Sequence, residues 1–252
     1  MAIKSLQVLF LGAPIIEDKG LMTFMQGFGA KLESPFLSYL IKADEGNILI
    51  DTGVNPDDIM ALSGGHIKGL AEEFHLPNRL KEVGLTVDDI DMVIMTHLHL
   101  DHVGWLSKFK KAEIILQKEE YRFTMDPPAW TPFKYSPERY DIKNFKLKLV
   151  DGDYCLMPGI TLLFTPGHSI GHQSILVELP QSGAIIIAGD AVFIQENLDK
   201  EYIPTTWSDT RHTLLSIRKL KMIAQIKKAA IFPGHDMEYW RNKMKKFPEA
   251  YL

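Results

Sequence analysis

Residues 96–105, THLHLDHVGW, crowd three histidines and an aspartate into six consecutive positions directly after an apolar run. His97 and His99 are two residues apart, so both side chains project to one side of an extended segment. Asp101 and His102 follow at the point where the chain is expected to turn. Imidazole nitrogen and carboxylate oxygen are ligands that Zn²⁺ and similar cations prefer. The segment therefore predicts a metal site at the end of a strand.

Four ligands in so short a segment favour two metals rather than one. Asp101 and His102 cannot easily join the same tetrahedron as His97 and His99. An ordinary structural role for all four groups is disfavoured, because burying uncompensated polar groups costs about 1–3 kcal/mol each. Two cations are the simpler explanation.

Three further candidate ligands each follow an apolar run and stand in a loop. His168 follows a Pro-Gly turn in FTPGHSIGHQS, Asp190 ends the run IIIAGDAV, and His235 follows another Pro-Gly turn in AAIFPGHD. This shared local arrangement could bring all of them to one rim of the sheets. A carboxylate such as that of Asp190 can bridge two cations by giving one oxygen to each.

Taken together, the motifs resemble the metallo-β-lactamase superfamily, in its N-acyl homoserine lactonase branch. They are LIDTG at 49–53, THLHLDH at 96–102, TPGHSIGHQS at 165–174, GD at 189–190, PGHD at 233–236 and the ending FPEAYL. The resemblance covers nearly the whole chain. It implies an α/β fold, an αββα sandwich with a dinuclear zinc centre at the rim of the two sheets.

The resemblance also implies a role for each site residue. In the family pattern one metal is held by His97, His99 and His168, the other by Asp101, His102 and His235, and Asp190 bridges them. Asp51 matches a position that commonly orients a ligand histidine, although Asp-Thr-Gly is also ordinary turn chemistry. His172 is expected to hold its loop rather than bind metal. Iron, manganese or cobalt are alternatives to zinc.

The implied reaction is the hydrolysis of a lactone, an N-acyl homoserine lactone or a related one, as in quorum quenching. Water held between two zinc ions loses a proton near neutral pH, and the resulting hydroxide would attack the ester carbonyl. The second metal would polarise the carbonyl oxygen and accept the released alkoxide. Asp101 is the expected catalytic residue, positioning the nucleophile.

Other branches of the superfamily fit the residues less well. A glutamate in place of His99 would indicate di-iron redox proteins, and a cysteine in place of Asp190 would indicate zinc β-lactamases. Glyoxalase-II-like thioesterases carry a longer C-terminal helical segment, whereas 17 residues follow His235 here. A di-iron redox protein and a non-catalytic metal-binding module remain as alternatives.

One position departs from the lactonase pattern. A tyrosine stands three residues after the bridging aspartate in such lactonases, and this chain has Phe193 there. A phenyl ring cannot donate a hydrogen bond to the substrate, and losing one such donor typically costs about 10²–10³ in rate. Tyr135 or Tyr202 could replace it, or the substrate could be another ester or a thioester.

Substrate selection is expected from two loop-like segments, 20–36 and 126–141, since loops of this length are usually functional or mobile. They carry flexible apolar and rigid aromatic side chains between which an acyl chain could lie. The same side chains could instead pack under their own loops or at a dimer contact. The candidate pocket residues are Met22, Phe24, Met25, Phe28, Trp130, Phe133, Tyr135 and Phe193.

The elements that must position these residues can be predicted from apolar runs and turn signals. Strands are predicted at 6–11, 37–41, 48–50, 92–95, 114–116, 160–164, 174–177 and 184–188, with another before His235. Helices are predicted at 78–83, 117–125 and 208–228, the last capped by Ser208 or Asp209. This interleaving indicates a layered α/β fold, and the lack of linkers or repeats indicates one domain over 1–252.

The composition of the chain argues against nucleic acid and membranes as binding partners. A net charge of −4 and a pI near 6.1 give no attraction to nucleic acid or anionic membranes, and the basic stretches 218–228 and 241–246 fit solvated helix faces. No apolar run approaches the eighteen or so residues that span a bilayer. The single cysteine, Cys155, predicts a cytoplasmic protein with a buried thiol. A monomer or a homodimer is expected.

Overall fold

Two β-sheets pack face to face with helices on their outer faces in the computed structural model, which describes residues 3–13, 15–56, 70–127, 142–204 and 209–252. The strands, in chain order, are β1 (Ile3–Phe10), β2 (Ile15–Asp18), β3 (Lys31–Ser34), β4 (Leu37–Ala43), β5 (Gly46–Ile50), β6 (Met92–Ile94), β7 (Glu113–Gln117), β8 (Lys146–Val150), β9 (Tyr154–Met157), β10 (Ile160–Phe164), β11 (Gln173–Leu179), β12 (Gly183–Ile187), β13 (Ala230–Phe232) and β14 (Ala250–Tyr251). One sheet has the order β14-β1-β4-β5-β6-β7-β8 and the other β13-β12-β11-β10-β9, while β2 and β3 form a separate pair.

The helices of the described residues lie mostly in the connections between strands. They are α1 (Lys19–Met22), α2 (Leu76–Lys81), α3 (Leu100–Val103), α4 (Lys118–Met125), α5 (Gln195–Lys200), α6 (Thr210–Lys227) and α7 (Met237–Lys243), with short 3₁₀ turns at Glu72–Phe74, Val87–Asp89, Leu106–Lys108, Ile142–Asn144 and Gly189–Ala191. Asp209 caps α6, since its carboxylate accepts from the backbone N–H of His212 at 2.9 Å. Ser208, the other predicted cap, lies outside the described residues. None of these helices has the length and apolarity that crossing a bilayer demands.

The apolar runs of the sequence are explained by burial on both faces of each sheet. Ile48 and Ile50 point into the core between the sheets, whereas Leu49 points to the outer core that includes α2 and α3. In the smaller sheet Ile186 points outward and packs in a cluster with Leu220 of α6. Strands covered on both faces read as continuous apolar runs. The αββα sandwich expected from the resemblance is confirmed.

Two sequence expectations about single segments are wrong. Segment 20–36, expected to be loop-like, contains most of α1 and the whole of β3, which pairs with β2. The Cys155 side chain is exposed rather than buried, because β9 is an edge strand of the smaller sheet in which only Met157 is buried.

The directions of the strands place the candidate ligands at one rim of the two sheets. β5 runs parallel to β6, and β12 runs parallel to β13, so the loops that follow these four strands leave their sheets at the same side. The loop that joins β10 to β11 reaches this rim from the smaller sheet. Gln173 ties the sheets together there, donating its backbone N–H to Thr96 O at 2.9 Å and its side-chain amide to Met95 O at 2.8 Å.

Candidate metal centre

Four buried side chains at this rim form a first cluster, made of His97, His99, His168 and Asp190, with their ligand atoms within 4.8 Å of one another. The Nδ1 atom of His99 lies 3.0 Å from the Nε2 atoms of both His97 and His168. The Nε2 atom of His168 in turn lies 3.0 Å from Oδ2 of Asp190.

A second cluster lies beside the first and shares Asp190 with it. Its members are Asp101, His102, Asp190 and His235. Oδ1 of Asp190 is 3.2 Å from His102 Nε2 and 3.1 Å from His235 Nε2. Oδ2 of Asp101 is 3.6 and 3.7 Å from the same two nitrogens. Asp190 thus turns one carboxylate oxygen to each cluster, as a bridging ligand would.

The residues present fit two cations. Ligand atoms about 2.0–2.1 Å from a tetrahedral Zn²⁺ are separated from each other by about 3.3–3.4 Å. The nearest ligand-atom distances within the two clusters, 3.0 to 3.7 Å, straddle that value. Five imidazoles and two carboxylates are also a donor set that suits zinc, iron, manganese or cobalt.

Asp51 orients one ligand in each cluster. Its Oδ2 accepts from Nδ1 of His102 at 2.8 Å and from the Thr96 hydroxyl at 2.7 Å. Because that hydroxyl donates to Asp51, its oxygen accepts the Nδ1 proton of His97, 3.0 Å away. Both histidines are thereby held with Nε2 facing the cluster. Asp51 has a φ of +57°, a left-handed backbone that aspartate and asparagine tolerate better than most residues.

Backbone and hydroxyl groups orient His235 and His172. Nδ1 of His235 donates to the carbonyl of Pro35 at 3.1 Å and lies 3.2 Å from Ser34 Oγ. Nε2 of His172 accepts the backbone N–H of Asp190 at 3.0 Å, while its Nδ1 lies 2.9 Å from Thr165 Oγ1. His172 thus holds the Asp190 loop and belongs to neither cluster.

Burial and the nearby carboxylates have opposite effects on the pKa values of His102 and His235. Burial alone would lower the pKa of His102, but the carboxylates of Asp190 and Asp101 hold it well above its ordinary value. Burial likewise disfavours the charged form of His235, yet Asp190 raises its pKa. A cation in the second cluster would take the place of the protons that these two imidazoles attract.

The pKa values of His97 and Asp190 shift downward. Burial and the neighbouring imidazoles of His102 and His99 hold the pKa of His97 well below its usual range, so its Nε2 lone pair is free of a proton. Burial would raise the pKa of Asp190, but His102 and His235 overcome this and hold that pKa well below its ordinary value. Asp190 is therefore ionised at neutral pH.

Four buried polar side chains near the clusters were missed by sequence reasoning: Ser34, Thr96, Glu120 and Asn197. Thr96 directly precedes His97, which was the one available hint. Glu120 follows Glu119 in α4 and resembles a surface residue in sequence, although it is fully buried. Asn197 is also fully buried; its amide donates to Met22 O at 2.9 Å, and its carbonyl accepts from Phe193 N–H at 2.9 Å.

Phe193 lies against both clusters. Its ring centroid is 5.4 Å from that of His168 and 5.0 Å from that of His235, in edge-on arrangements. The aromatic side chain therefore forms part of the wall over the candidate metal centre.

The other predicted pocket residues are not brought to the centre in the same way. Met22 is 1 % exposed, so it is buried under its segment and does not offer the predicted apolar surface. Phe24, Met25 and Phe28 are 50 %, 63 % and 57 % exposed, and their contact with a substrate remains a prediction. Trp130, Phe133 and Tyr135 lie outside the described residues.

Comparison with known proteins agrees with this geometry. A family model described as the metallo-beta-lactamase superfamily matches residues 36–235. The chain belongs to the metallo-beta-lactamase superfamily. The matched range begins just before β4 and ends at His235, so it includes every member of both clusters.

Within the superfamily, the similar proteins include N-acyl homoserine lactonases, which confirms the predicted resemblance to that branch. The chain is 33% identical to an N-acyl homoserine lactonase of Bacillus thuringiensis over 259 residues, covering 99% of each protein. It is 32% identical to the lactonase AttM of Agrobacterium fabrum over 240 residues, covering 90% of each. A solved N-acyl homoserine lactone hydrolase, with the product N-hexanoyl-L-homoserine at its catalytic metal centre, superposes with a TM-score of 0.87 and 33% identity over 100% of both chains.

Proposed function

We propose that this protein is a metal-dependent hydrolase that opens the ring of an N-acyl homoserine lactone or a related lactone. The observation that carries the proposal is the Asp190 carboxylate, which lies between two clusters of candidate ligands and turns one oxygen to each. The relatives that match the chain over 99% of its length are named for this activity.

Each cluster has the residues to hold one divalent cation, for which we propose Zn²⁺. The first would be held by His97, His99 and His168, the second by Asp101, His102 and His235, and both by Asp190. Bound in this way, the cations would supply a water molecule activated at neutral pH and a Lewis acid for the ester carbonyl. Asp51 and Thr96 would keep two of the ligand imidazoles in the required orientation.

Asp101 is the proposed catalytic carboxylate. Its side chain is 17 % exposed, whereas those of His102 and His235 are 8 % and 7 % exposed, so Asp101 is the most accessible of the second cluster's side chains. In ring opening, the water oxygen bonds to the carbonyl carbon and the ester C–O bond breaks. Asp101 is placed to hold the proton of the attacking water and to return it to the alkoxide, giving a hydroxy acid.

A second candidate, hydrolysis of another ester or of a thioester, is favoured by Phe193. The ring lies against His168 and His235 but has no hydroxyl to donate to a carbonyl or leaving group. The backbone of the alternative donor, Tyr202, is tied to Asn197 through a 2.6 Å hydrogen bond.

Hydrolysis of a substrate panel tests the proposal. Purified protein is incubated with acyl homoserine lactones of several chain lengths, other lactones and thioesters, with and without chelator, while acid release is followed. We expect lactone turnover that chelator abolishes and added Zn²⁺ restores. A higher kcat/KM on thioesters would support the second candidate, and substantial bound iron with oxygen consumption would overturn both.

Cytoplasmic location and the monomeric or homodimeric state are proposed on the composition alone, since they rest on the single cysteine and the apolar N-terminal segment. The net charge of −4 supports the expectation that nucleic acid and anionic membranes are not partners. Size-exclusion chromatography with light scattering would establish the number of chains.

A further inference from the structure

Glu120 is a buried carboxylate outside the two clusters. It is the third residue of α4 and has no exposed surface. An isolated carboxylate at such a site is costly, because burial removes its hydration. Burial accordingly raises the pKa of Glu120, while hydrogen bonds from its surroundings act in the opposite direction.

Three hydrogen bonds attach Glu120 to the two loops that carry the histidines of the first cluster. Oε1 accepts from the backbone N–H of Leu98 at 3.0 Å. Oε2 accepts from the hydroxyl of Ser169 at 2.8 Å and from the backbone N–H of Gly171 at 2.9 Å. All three partners donate, which is the arrangement that an ionised carboxylate requires.

The contacted residues are interleaved with the candidate ligands. Leu98 stands between His97 and His99, and Ser169 directly follows His168. One carboxylate therefore joins backbone from the larger sheet to backbone from the loop between β10 and β11, and it does so beside all three histidines of the first cluster.

The close approach of α4 also explains a glycine in the second loop. A Cβ atom at Gly171 would overlap the backbone nitrogen and the side chain of Glu120. No other residue fits there while α4 holds its position, so the G-H-S-I-G pattern is adapted to this contact as well as to its histidine.

The second cluster is held by different groups. Asp51 orients His102, and Pro35 and Ser34 orient His235. In the described part of the chain, Glu120 makes no hydrogen bond to Asp51, Pro35 or Ser34, the residues that orient His102 and His235. Weakening its contacts should therefore affect the first cluster more than the second.

We propose that Glu120 is a positioning residue that fixes the spacing of His97, His99 and His168 and so preforms the first metal site. The inference rests on the proposed function, because it assumes that these histidines bind a cation. Glu120 acts only through the two loops and does not itself contact substrate or metal.

Glu120→Gln is the direct test. A glutamine has nearly the same volume but turns an NH₂ group toward one set of donors, so one or two of the three hydrogen bonds must be lost. Glu119→Gln is the matched control, since Glu119 is the adjacent α4 residue, its side chain is 47 % exposed, and it pairs with Arg122. Ser169→Ala removes a single donor and serves as a milder second variant.

The readout is metal retention rather than activity. Wild type and variants are loaded with Zn²⁺, dialysed against a graded series of chelator concentrations and analysed for metal per chain. Wild type and Glu119→Gln should retain two ions over the same range. Glu120→Gln should lose one ion at about 10- to 100-fold lower chelator concentration, the usual effect of removing a group that orients ligands. Anomalous scattering from crystals of the variant should place the remaining ion in the second cluster.

The outcomes separate this inference from the proposed function. Equal retention by Glu120→Gln and wild type, or equal loss from both clusters, would overturn the positioning role while leaving the metal centre intact. A wild-type protein that retains no metal would contradict the proposed function, and this inference with it. If Glu120→Gln fails to fold, Ser169→Ala takes its place and should lose the ion of the first cluster selectively, but to a smaller extent. Wild-type metal retention by Ser169→Ala would then overturn the positioning role.

Discussion

Oδ2 of Asp51 accepts hydrogen bonds from His102 and from Thr96, which in turn accepts from His97. One carboxylate therefore serves a ligand in each cluster. We predict that Asp51→Asn lowers the affinity for metal by about 10- to 100-fold, with the larger loss in the second cluster, which Asp51 contacts directly. Asparagine tolerates the left-handed backbone of Asp51, so backbone strain should not confuse the result.

Competition with a chromogenic chelator measures this effect. Asp199→Asn, an exposed substitution on α5, is the control and should match wild type. Unchanged retention in Asp51→Asn would mean that the carboxylate is only a turn residue.

Phe193 places a ring without a hydrogen-bond donor beside the candidate metal centre. We predict that Phe193→Tyr raises kcat/KM for acyl homoserine lactones, by as much as about 10²–10³ if the new hydroxyl reaches the reacting ester. Phe164→Tyr adds a phenol in a separate surface depression, which Ile170 and His212 also line, and it should have no effect. No gain in Phe193→Tyr would indicate that another group already supplies this hydrogen bond.

The lowered pKa of His172 should make the stability of the protein depend on pH. Burial, followed by the nearby His168, lowers the pKa of His172 from 6.5 to about 3. In the unfolded chain His172 binds a proton as the pH falls below 6.5, whereas in the folded chain it stays neutral down to about pH 3. The free energy of unfolding should therefore fall with decreasing pH over this window, by up to about 1.4 kcal/mol per unit.

Urea unfolding of metal-free protein at several pH values checks this linkage. His172→Gln retains an acceptor for the Asp190 N–H but cannot titrate, so the slope between pH 6.5 and 4 should flatten even if the variant is less stable overall. His212→Gln, at an exposed position on α6, should keep the wild-type slope. Equal slopes in all three proteins would contradict the assignment.

At the scale of elements, the loop after the ligand segment packs directly on the loop that carries Asp51. Gly104 donates its backbone N–H to Gly53 O at 2.7 Å, and a Cβ atom at Gly104 would overlap the backbone of Val54 and Asn55. We predict that Gly104→Ala destabilises the protein by about 1–3 kcal/mol, because one backbone segment is continuous with the ligand His102 and the other with Asp51, which orients that histidine.

Thermal and chemical unfolding measure this cost. Gly152→Ala is the comparison, since its methyl group would meet no atom within 4 Å and its φ of +71° is the only source of strain, worth about 1–2 kcal/mol. A Gly104→Ala protein with wild-type stability and metal content would show that the two loops are not rigidly packed.

The elements that sequence reasoning identified are those buried on both faces. β5, β6, β11 and β12 were predicted because every residue of their apolar runs meets a core. β2, β3, β8, β9 and β14 were missed, since their residues are largely half-exposed and their pairing depends on partners distant in sequence. α6 was found with its cap because helix periodicity and capping are local properties.

For the molecule as a whole, sequence motifs named all seven members of the two clusters, but not how they are held. Those side chains stand in loops that follow apolar strands, and the parallel pairing of the strands brings these loops to one rim of the sheets. The contacts of Glu120 and Asn197 could not be predicted, since each joins segments that are far apart in sequence and neither residue stands in a recognisable motif.

We propose above that these seven side chains hold two cations. Anomalous X-ray diffraction from crystals of the wild-type protein, collected on both sides of the absorption edge of the metal found by elemental analysis, tests it most directly. We expect two peaks, one among His97, His99, His168 and Asp190 and one among Asp101, His102, His235 and Asp190. A single peak, or peaks elsewhere with these side chains turned apart, would contradict it.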